Sequence, residues 1–277
     1  MTDGAQSDEP PVLVEDRGEV RWVMLNRPAA RNAQNEALLT ALTETFAQTR
    51  ESAARVLVLA GAGTSFSAGH DIKEAAFNPR YRSNIETVEG RFRQERDLFV
   101  RPIELLRALP IPTICRLQGH CMAAALMLVG ACDLVVAAED ARFSSTVTRD
   151  MGAADVEVPW LYWALGERRA KQMTWLSESI GARDALALGI VNWVVPNDEL
   201  DAKLQSVLDE LLRVPREALE LSKLSLRFME DRRGRADVDA YHFLSHQLSH
   251  HTTETVELLR RRVADLERRL RERSAAD

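Results

Sequence analysis

Two short segments hold the residues best placed for chemistry at a carbonyl group. The first is Ser65-Phe66-Ser67-Ala68-Gly69-His70-Asp71-Ile72-Lys73, in which small residues lead into a bend at Gly69. Small residues let a ligand approach the main chain closely, and a bend leaves backbone N–H groups exposed. The second is Gln118-Gly119-His120-Cys121-Met122-Ala123-Ala124-Ala125, where a strand-like run gives way to alanines that open a helix. A helix N-terminus offers free N–H groups and the positive end of the peptide dipole. Two such bends, if they converge, make an oxyanion hole that holds the oxygen of a thioester enolate. The same composition also suits two tightly packed turns, and spacing alone leaves both readings open.

Other candidates carry less. Gly61-Ala62-Gly63-Thr64-Ser65-Phe66 follows a strand and resembles part of a dinucleotide fingerprint, but Phe66 stands at the third glycine, so a tight turn is the favoured reading. The chain has no Walker lysine motif and no G-x-S-x-G elbow. His242, His246 and His250 recur four residues apart, with His251 beside them. Neighbours at that spacing can share a metal, but the outer pair is separated by about 12 Å along a helix. A polar helix face or a subunit contact that titrates near neutral pH is the favoured reading of this row.

The elements that must position these residues follow from periodicity. Val12 to Glu15 and Val20 to Leu25 read as strands joined by the turn at Asp16-Arg17-Gly18. Asn35 is placed to cap a helix carrying Leu38, Leu39, Leu42 and Phe46 on one face. Val56 to Ala60, Pro112 to Leu117 and Leu134 to Ala137 read as strands, and Met122 to Ala131 as a buried helix. Asn78-Pro79 suggests a loop, and Phe92 to Leu109 a helix kinked at Pro102. Alternating strands and helices predict an α/β fold. Past residue 200 only helical patterns remain, so the expected organisation is a tail over 1–11, an α/β core over 12–198 and a helical region over 199–277. Val256, Leu259, Val263, Leu266 and Leu270 keep a heptad spacing, too short to establish a coiled coil; an amphipathic helix docked on its own subunit or a neighbour is favoured.

Composition bounds the partners. Of 277 residues, 36 are basic and 42 acidic, a net charge of −6 that disfavours a general nucleic-acid binder. Three cysteines in a chain this long are no disulfide framework and read as small core residues in a reducing compartment. The N-terminus has neither a basic nor an apolar signal region, and the run from Leu117 to Cys132 falls short of the ~20 apolar residues of a membrane span. A cytoplasmic protein with no membrane partner is expected.

Both chemical segments, with Leu25-Asn26-Arg27-Pro28-Ala29-Ala30-Arg31-Asn32-Ala33 before them, resemble the crotonase superfamily of enoyl-CoA hydratases and isomerases, in that family's order. Arg183 to Asn192 resembles the segment before the family's C-terminal helices, and the resemblance covers roughly residues 12 to 230. It implies a spiral of ββα units with helical C-terminal elements that build a trimer or a dimer of trimers. It implies a coenzyme A thioester as substrate and no other cofactor or metal. By motif position, the N–H groups of His70 and Ala124 hold the thioester oxygen. Ala68 and the run His70, Asp71, Ile72 and Lys73 line the CoA path, and Arg27, Arg31 and Ala33 lie near its adenine and phosphates. Guanidinium groups suit phosphate recognition.

Hydratases of this family use two glutamates for acid–base work. The first position is Met127 here, the second Val147 or Thr148, and the oxyanion glycine is Ala124. Carboxylates just beyond are the candidate replacements: Glu157 first, then Asp150. Glu157 leads into the aromatic stretch Trp160 to Trp163, and a carboxylate beside aromatics has a raised pKa. The plainer reading makes Asp155 a helix cap and Glu157 a first-turn residue. Asp71 is expected to fix its loop, His120 to be a satisfied loop histidine, and residues 73–90 with Trp160 to Trp163 to shape the acyl pocket. The leading reading is an acyl-CoA enzyme of fatty-acid-type metabolism, labelled a hydratase, with isomerisation or C–C cleavage as further options. The rival is a non-catalytic acyl-CoA binding protein.

Overall fold

The computed structural model describes residues 9–274, so residues 1–8 of the expected tail and residues 275–277 lie outside the described part. Strands β1 (Val12–Arg17) and β2 (Val20–Leu25) form an antiparallel hairpin that turns at Gly18, where φ is +62°. Helix α1 (Glu36–Arg50) starts where Asn35 accepts a hydrogen bond from the Leu38 N–H, and buries Leu38, Leu39, Leu42 and Phe46. Strand β3 (Val56–Gly61) then runs parallel to β2.

Three helices follow: α2 (Ile72–Phe77), α3 (Pro79–Asn84) and α4 (Val88–Glu95). Asn78-Pro79, expected to be a loop, starts a helix instead. The Asn78 side chain accepts from the N–H groups of Arg80 and Tyr81, and Pro79 sits where a missing N–H costs nothing. A single turn of π-helix, Arg96–Val100, joins α4 to α5 (Arg101–Arg107). The Arg101 N–H reaches the Arg96 carbonyl, and Pro102 donates no bond. The expected kink is therefore an inserted residue rather than a break.

Strands β4 (Thr113–Leu117) and β5 (His120–Met122) lead to helix α6 (Ala125–Ala131), buried over almost its whole length. Next come β6 (Leu134–Ala138), β7 (Arg142–Ser144), α7 (Val147–Met151), α8 (Trp160–Leu176), β8 (Ile180–Gly181), α9 (Ala182–Ala187) and β9 (Trp193–Val195). The chain finishes with α10 (Leu200–Arg213), α11 (Arg216–Arg232), α12 (Arg235–Ser249) and α13 (Thr253–Ser274).

The main sheet has the order β1-β2-β3-β4-β6-β9, parallel except for the β1–β2 pair, and β5, β7 and β8 make a second, smaller sheet. Strands buried on both faces read as continuous apolar runs. In β3, Leu57 and Leu59 face the core under α1, α5 and α6. Val56 and Val58 face the opposite layer, which α10 closes with Leu200, Leu204, Val207 and Leu208. Helix α13 docks on the chain through the Thr255 hydroxyl, which donates to the Gly152 carbonyl at 3.0 Å, and through an Arg262–Asp150 ion pair at 2.8 Å. Its Val256, Leu259, Val263 and Leu266 are half-buried, and the side chain of Leu270 lies outside the described residues. Among the described residues no helix is long and apolar enough to cross a membrane.

Candidate active site

The segment after β3 is threaded between two others and pairs with both. On one side the Ala68 N–H donates to the Arg31 carbonyl at 2.9 Å, the Gln34 N–H to Gly69 at 2.8 Å and the Asp71 N–H to Gln34 at 3.0 Å. On the other, the Phe66 N–H donates to Gln118 at 2.9 Å, Ser67 to His120 at 3.0 Å and Met122 to the Ser67 carbonyl at 3.1 Å. These bonds hold Gly69 against the start of α6. Gly69 is left-handed at φ +82°, and a Cβ there would lie 2.7 Å from the Met122 oxygen and 3.1 Å from the Ala124 nitrogen. Only glycine fits so close an approach.

The backbone N–H groups of His70 and Ala124 donate to no group among the described residues, whereas their neighbours Asp71 and Ala123 do. The two expected oxyanion donors are thus left unpaired beside the close approach of Gly69 to the start of α6. Asn32 is the residue that sequence reasoning missed here. It is fully buried in a left-handed conformation, directs its amide at the carbonyls of Ala62, Ser65 and Phe66 at 2.8–3.0 Å, and accepts from the Arg27 N–H at 2.9 Å.

The residues expected along a CoA path gather at this knot. Arg27 is half-buried, donates to the Ala33 carbonyl and pairs with Asp71 at 2.9 Å. Asp71 also caps α2 by accepting from the N–H groups of Lys73 and Glu74, so it fixes the loop as expected. Arg31, Ile72 and Lys73 are exposed, and Arg31 makes no ion pair among the described residues. His120 is exposed at the start of β5.

A second group of side chains meets the same loop. The Nε2 of His70 lies 3.2 Å from Oε2 of Glu157, and its ring stacks on Phe99 of the π-turn with centroids 3.7 Å apart. The other ring nitrogen of His70 is buried without a hydrogen-bond partner. Oε1 of Glu157 faces Nε2 of His246 at 3.4 Å. Glu157 is buried and sits in the run of bends before α8, not in its first turn. The expectation of a raised carboxyl pKa is corrected: burial pushes it up, but His70 and His246 outweigh that and hold Glu157 well below the usual carboxylate range. Asp155 is no helix cap; it is buried at φ +66° with its carboxyl on the Ser145 hydroxyl at 2.5 Å, and burial raises its pKa.

The histidine row is not a polar surface face. His246 is only 2% exposed, its Nδ1–H donates to the Asp155 carbonyl at 2.8 Å, and its Nε2 faces Glu95 at 3.3 Å. Burial pushes the His246 pKa down, but Glu157 and Glu95 raise it to about 10, so an imidazolium balances the carboxylates. Burial takes His250 down to about 4. His242 is half-buried and donates to the Val156 carbonyl at 2.8 Å. Sequence spacing marks the helical row but gives no sign that Glu95 and Glu157 face it.

The structure does not bring Asp150 to this group. It lies on α7, paired with Arg149 at 3.3 Å and Arg262 at 2.8 Å. A cavity of about 910 Å³ is lined in part by Glu157 and by Met127, Gly130 and Ala131 of α6. Trp160 forms part of its wall, packed against Gly130 where a Cβ would meet its ring at 2.5 Å. Residues 73–90, expected to shape the pocket, do not line it; the other walls come from α4, the π-turn, α5, α11 and α12.

The family model described as enoyl-CoA hydratase/isomerase matches residues 15–267. EchA13 of Mycobacterium tuberculosis, which bears a provisional enoyl-CoA hydratase name, is 34% identical over 249 residues, 85% of this chain and 78% of that relative. Among solved structures, an enoyl-CoA hydratase/isomerase from Xanthobacter autotrophicus Py2 superposes with a TM-score of 0.83 at 25% identity, covering 90% of this chain and 91% of its own. A probable enoyl-CoA hydratase from Mycobacterium smegmatis superposes at 0.80 with 31% identity, covering 86% and 94%. The architecture is therefore the crotonase-like α/β fold.

Proposed function

The chain belongs to the enoyl-CoA hydratase/isomerase family, and from that premise we propose that it moves a proton beside the carbonyl of an acyl-CoA thioester. The observation that carries this reading is the pair of unbonded N–H groups of His70 and Ala124, brought close by Gly69, whose Cβ position lies 3.1 Å from the Ala124 nitrogen. They bind the thioester oxygen and hold the charge that develops as an enolate forms.

Proton transfer falls to Glu157 and His70. An ionised Glu157 accepts from Nε2–H of His70, which leaves the unpartnered Nδ1 as the basic nitrogen. The His70 main chain binds the oxygen while its ring serves the adjacent carbon. The cavity lined by Glu157 and Met127 takes the acyl chain, and its volume suits a ligand of that size. Arg31 and Lys73, exposed at the rim of the loop, meet the CoA phosphates, and Arg27 supports them from behind through Asp71. The exposed apolar residues of α11 and α12, among them Leu224, Phe228, Tyr241 and Leu248, fit the homotrimer or dimer of trimers that the resemblance implies.

A second reading, a non-catalytic acyl-CoA binder, is favoured by Met127, Val147 and Thr148, which put no carboxylate where the resemblance expects the hydratase pair. A panel of enoyl-CoA and 3-oxoacyl-CoA thioesters separates the two. The expected result is turnover of at least one thioester and its loss in Glu157→Gln, with thioester binding retained. Thermal stabilisation across the panel without conversion of any member supports the binder.

A further inference from the structure

Glu95 on α4, His246 on α12 and His250, the residue just past the end of α12, bring three donor atoms together in the interior. Nε2 of His246 lies 3.0 Å from Nε2 of His250 and 3.3 Å from Oε2 of Glu95, and Nε2 of His250 lies 3.7 Å from Oε1 of Glu95. A tetrahedral ion bound at about 2.0–2.1 Å separates its ligand atoms by roughly 3.3 Å; the imidazole pair and the nearer Glu95 oxygen of each histidine lie close to that length, with the two histidines meeting different oxygens of the carboxylate. Two imidazole nitrogens aimed at one another at this distance need either a proton or a metal between them.

Two of the three ligands, His246 and Glu95, are held as metal ligands are held, while Nδ1 of His250 has no hydrogen-bond partner. Nδ1–H of His246 donates to a backbone carbonyl, which turns Nε2 toward the cluster. Glu95 accepts from Gln247 at 2.6 Å and from Arg91 at 2.9 Å, so its carboxylate is fixed from behind. Oε1 of Glu157 stands 3.4 Å from Nε2 of His246, beside the place of a fourth ligand.

We propose that Glu95, His246 and His250 form a buried site for one divalent transition metal of the zinc kind, with its fourth position on the side of Glu157. The metal takes the place of the proton between the imidazoles, which is released to solvent. Two neutral imidazoles and a carboxylate are a donor set suited to zinc. The site does not depend on the acyl-CoA reading, because it is assembled without any substrate residue except the neighbouring Glu157.

The test is a titration of the chelator-treated full-length protein with Co²⁺, read by visible absorption without substrate. One Co²⁺ per chain with the intense spectrum of a tetrahedral site is expected, displaced by Zn²⁺, with a rise in Tm on Zn²⁺ addition. His250→Ala and the isosteric Glu95→Gln, checked for native circular dichroism, lose more affinity than the roughly 10–100-fold cost of removing a supporting partner. His242→Ala, which changes no ligand, keeps the uptake. Failure of the wild-type protein to take up Co²⁺, or unchanged uptake in a folded Glu95→Gln or His250→Ala, overturns the proposal.

Discussion

The bend at Gly69 and the cluster around Glu157 touch through one residue, His70, yet they are built in opposite ways. The bend is made of main chain. Its donors are N–H groups, and it is shaped by small residues and by the buried Asn32 amide. The cluster is made of side chains from α4, the segment before α8 and α12, with His70 and Glu157 separated by 87 positions in sequence. A backbone site depends on whether a Cβ can be accommodated; a side-chain site depends on whether buried charges stay balanced. His70 belongs to both, with its N–H in the first and its ring in the second.

That difference is open to direct attack, beginning where the largest effect is expected. Gly69→Ala places a methyl group 2.7 Å from the Met122 oxygen at a left-handed position, which forces the two donors apart. Loss of an oxyanion donor costs on the order of 10²–10³ in kcat, and steady-state kinetics on the best thioester checks it. Glu157→Gln keeps the shape but removes the charge that holds the His70 ring and balances His246. A fall in kcat of about 10²-fold or more is expected with little change in thioester affinity, measured by single-turnover kinetics beside calorimetry.

Asn32→Ala tests the backbone half through stability. It strips hydrogen bonds from three carbonyls, two of the bonds buried. Chemical denaturation should show a loss of about 1–3 kcal/mol. Asp150→Asn is the smallest expected effect. It removes a partly exposed pair with Arg262 and touches neither half, so turnover is unchanged and stability moves by about 0–1 kcal/mol. A large loss of turnover in Asp150→Asn would erase the distinction between the two catalytic candidates.

What could be read from the sequence follows the same division. The bend, the Asn35 cap and the buried strands are local patterns within a few residues, and they stand in the structure close to where periodicity puts them; α6 begins at Ala125 rather than at Met122, which closes strand β5 instead. Asn78-Pro79 misled because the same dipeptide serves a loop and a helix start. The Glu95–Glu157–His246 cluster has no local signature, because three distant segments meet only once the chain is packed. Even the histidine spacing, visible as a helical row, gave the wrong environment, since periodicity says which residues share a face but not what covers it.

In the proposed chemistry the thioester oxygen lies between the N–H groups of His70 and Ala124. The carbonyl stretching frequency of a bound, isotopically labelled acyl-CoA reads that contact directly. Two strong donors polarise the bond, so the band should move to lower frequency in the wild-type protein and return toward its solution value in Gly69→Ala. A bound thioester whose carbonyl band stays at the solution frequency in the wild-type protein would contradict it.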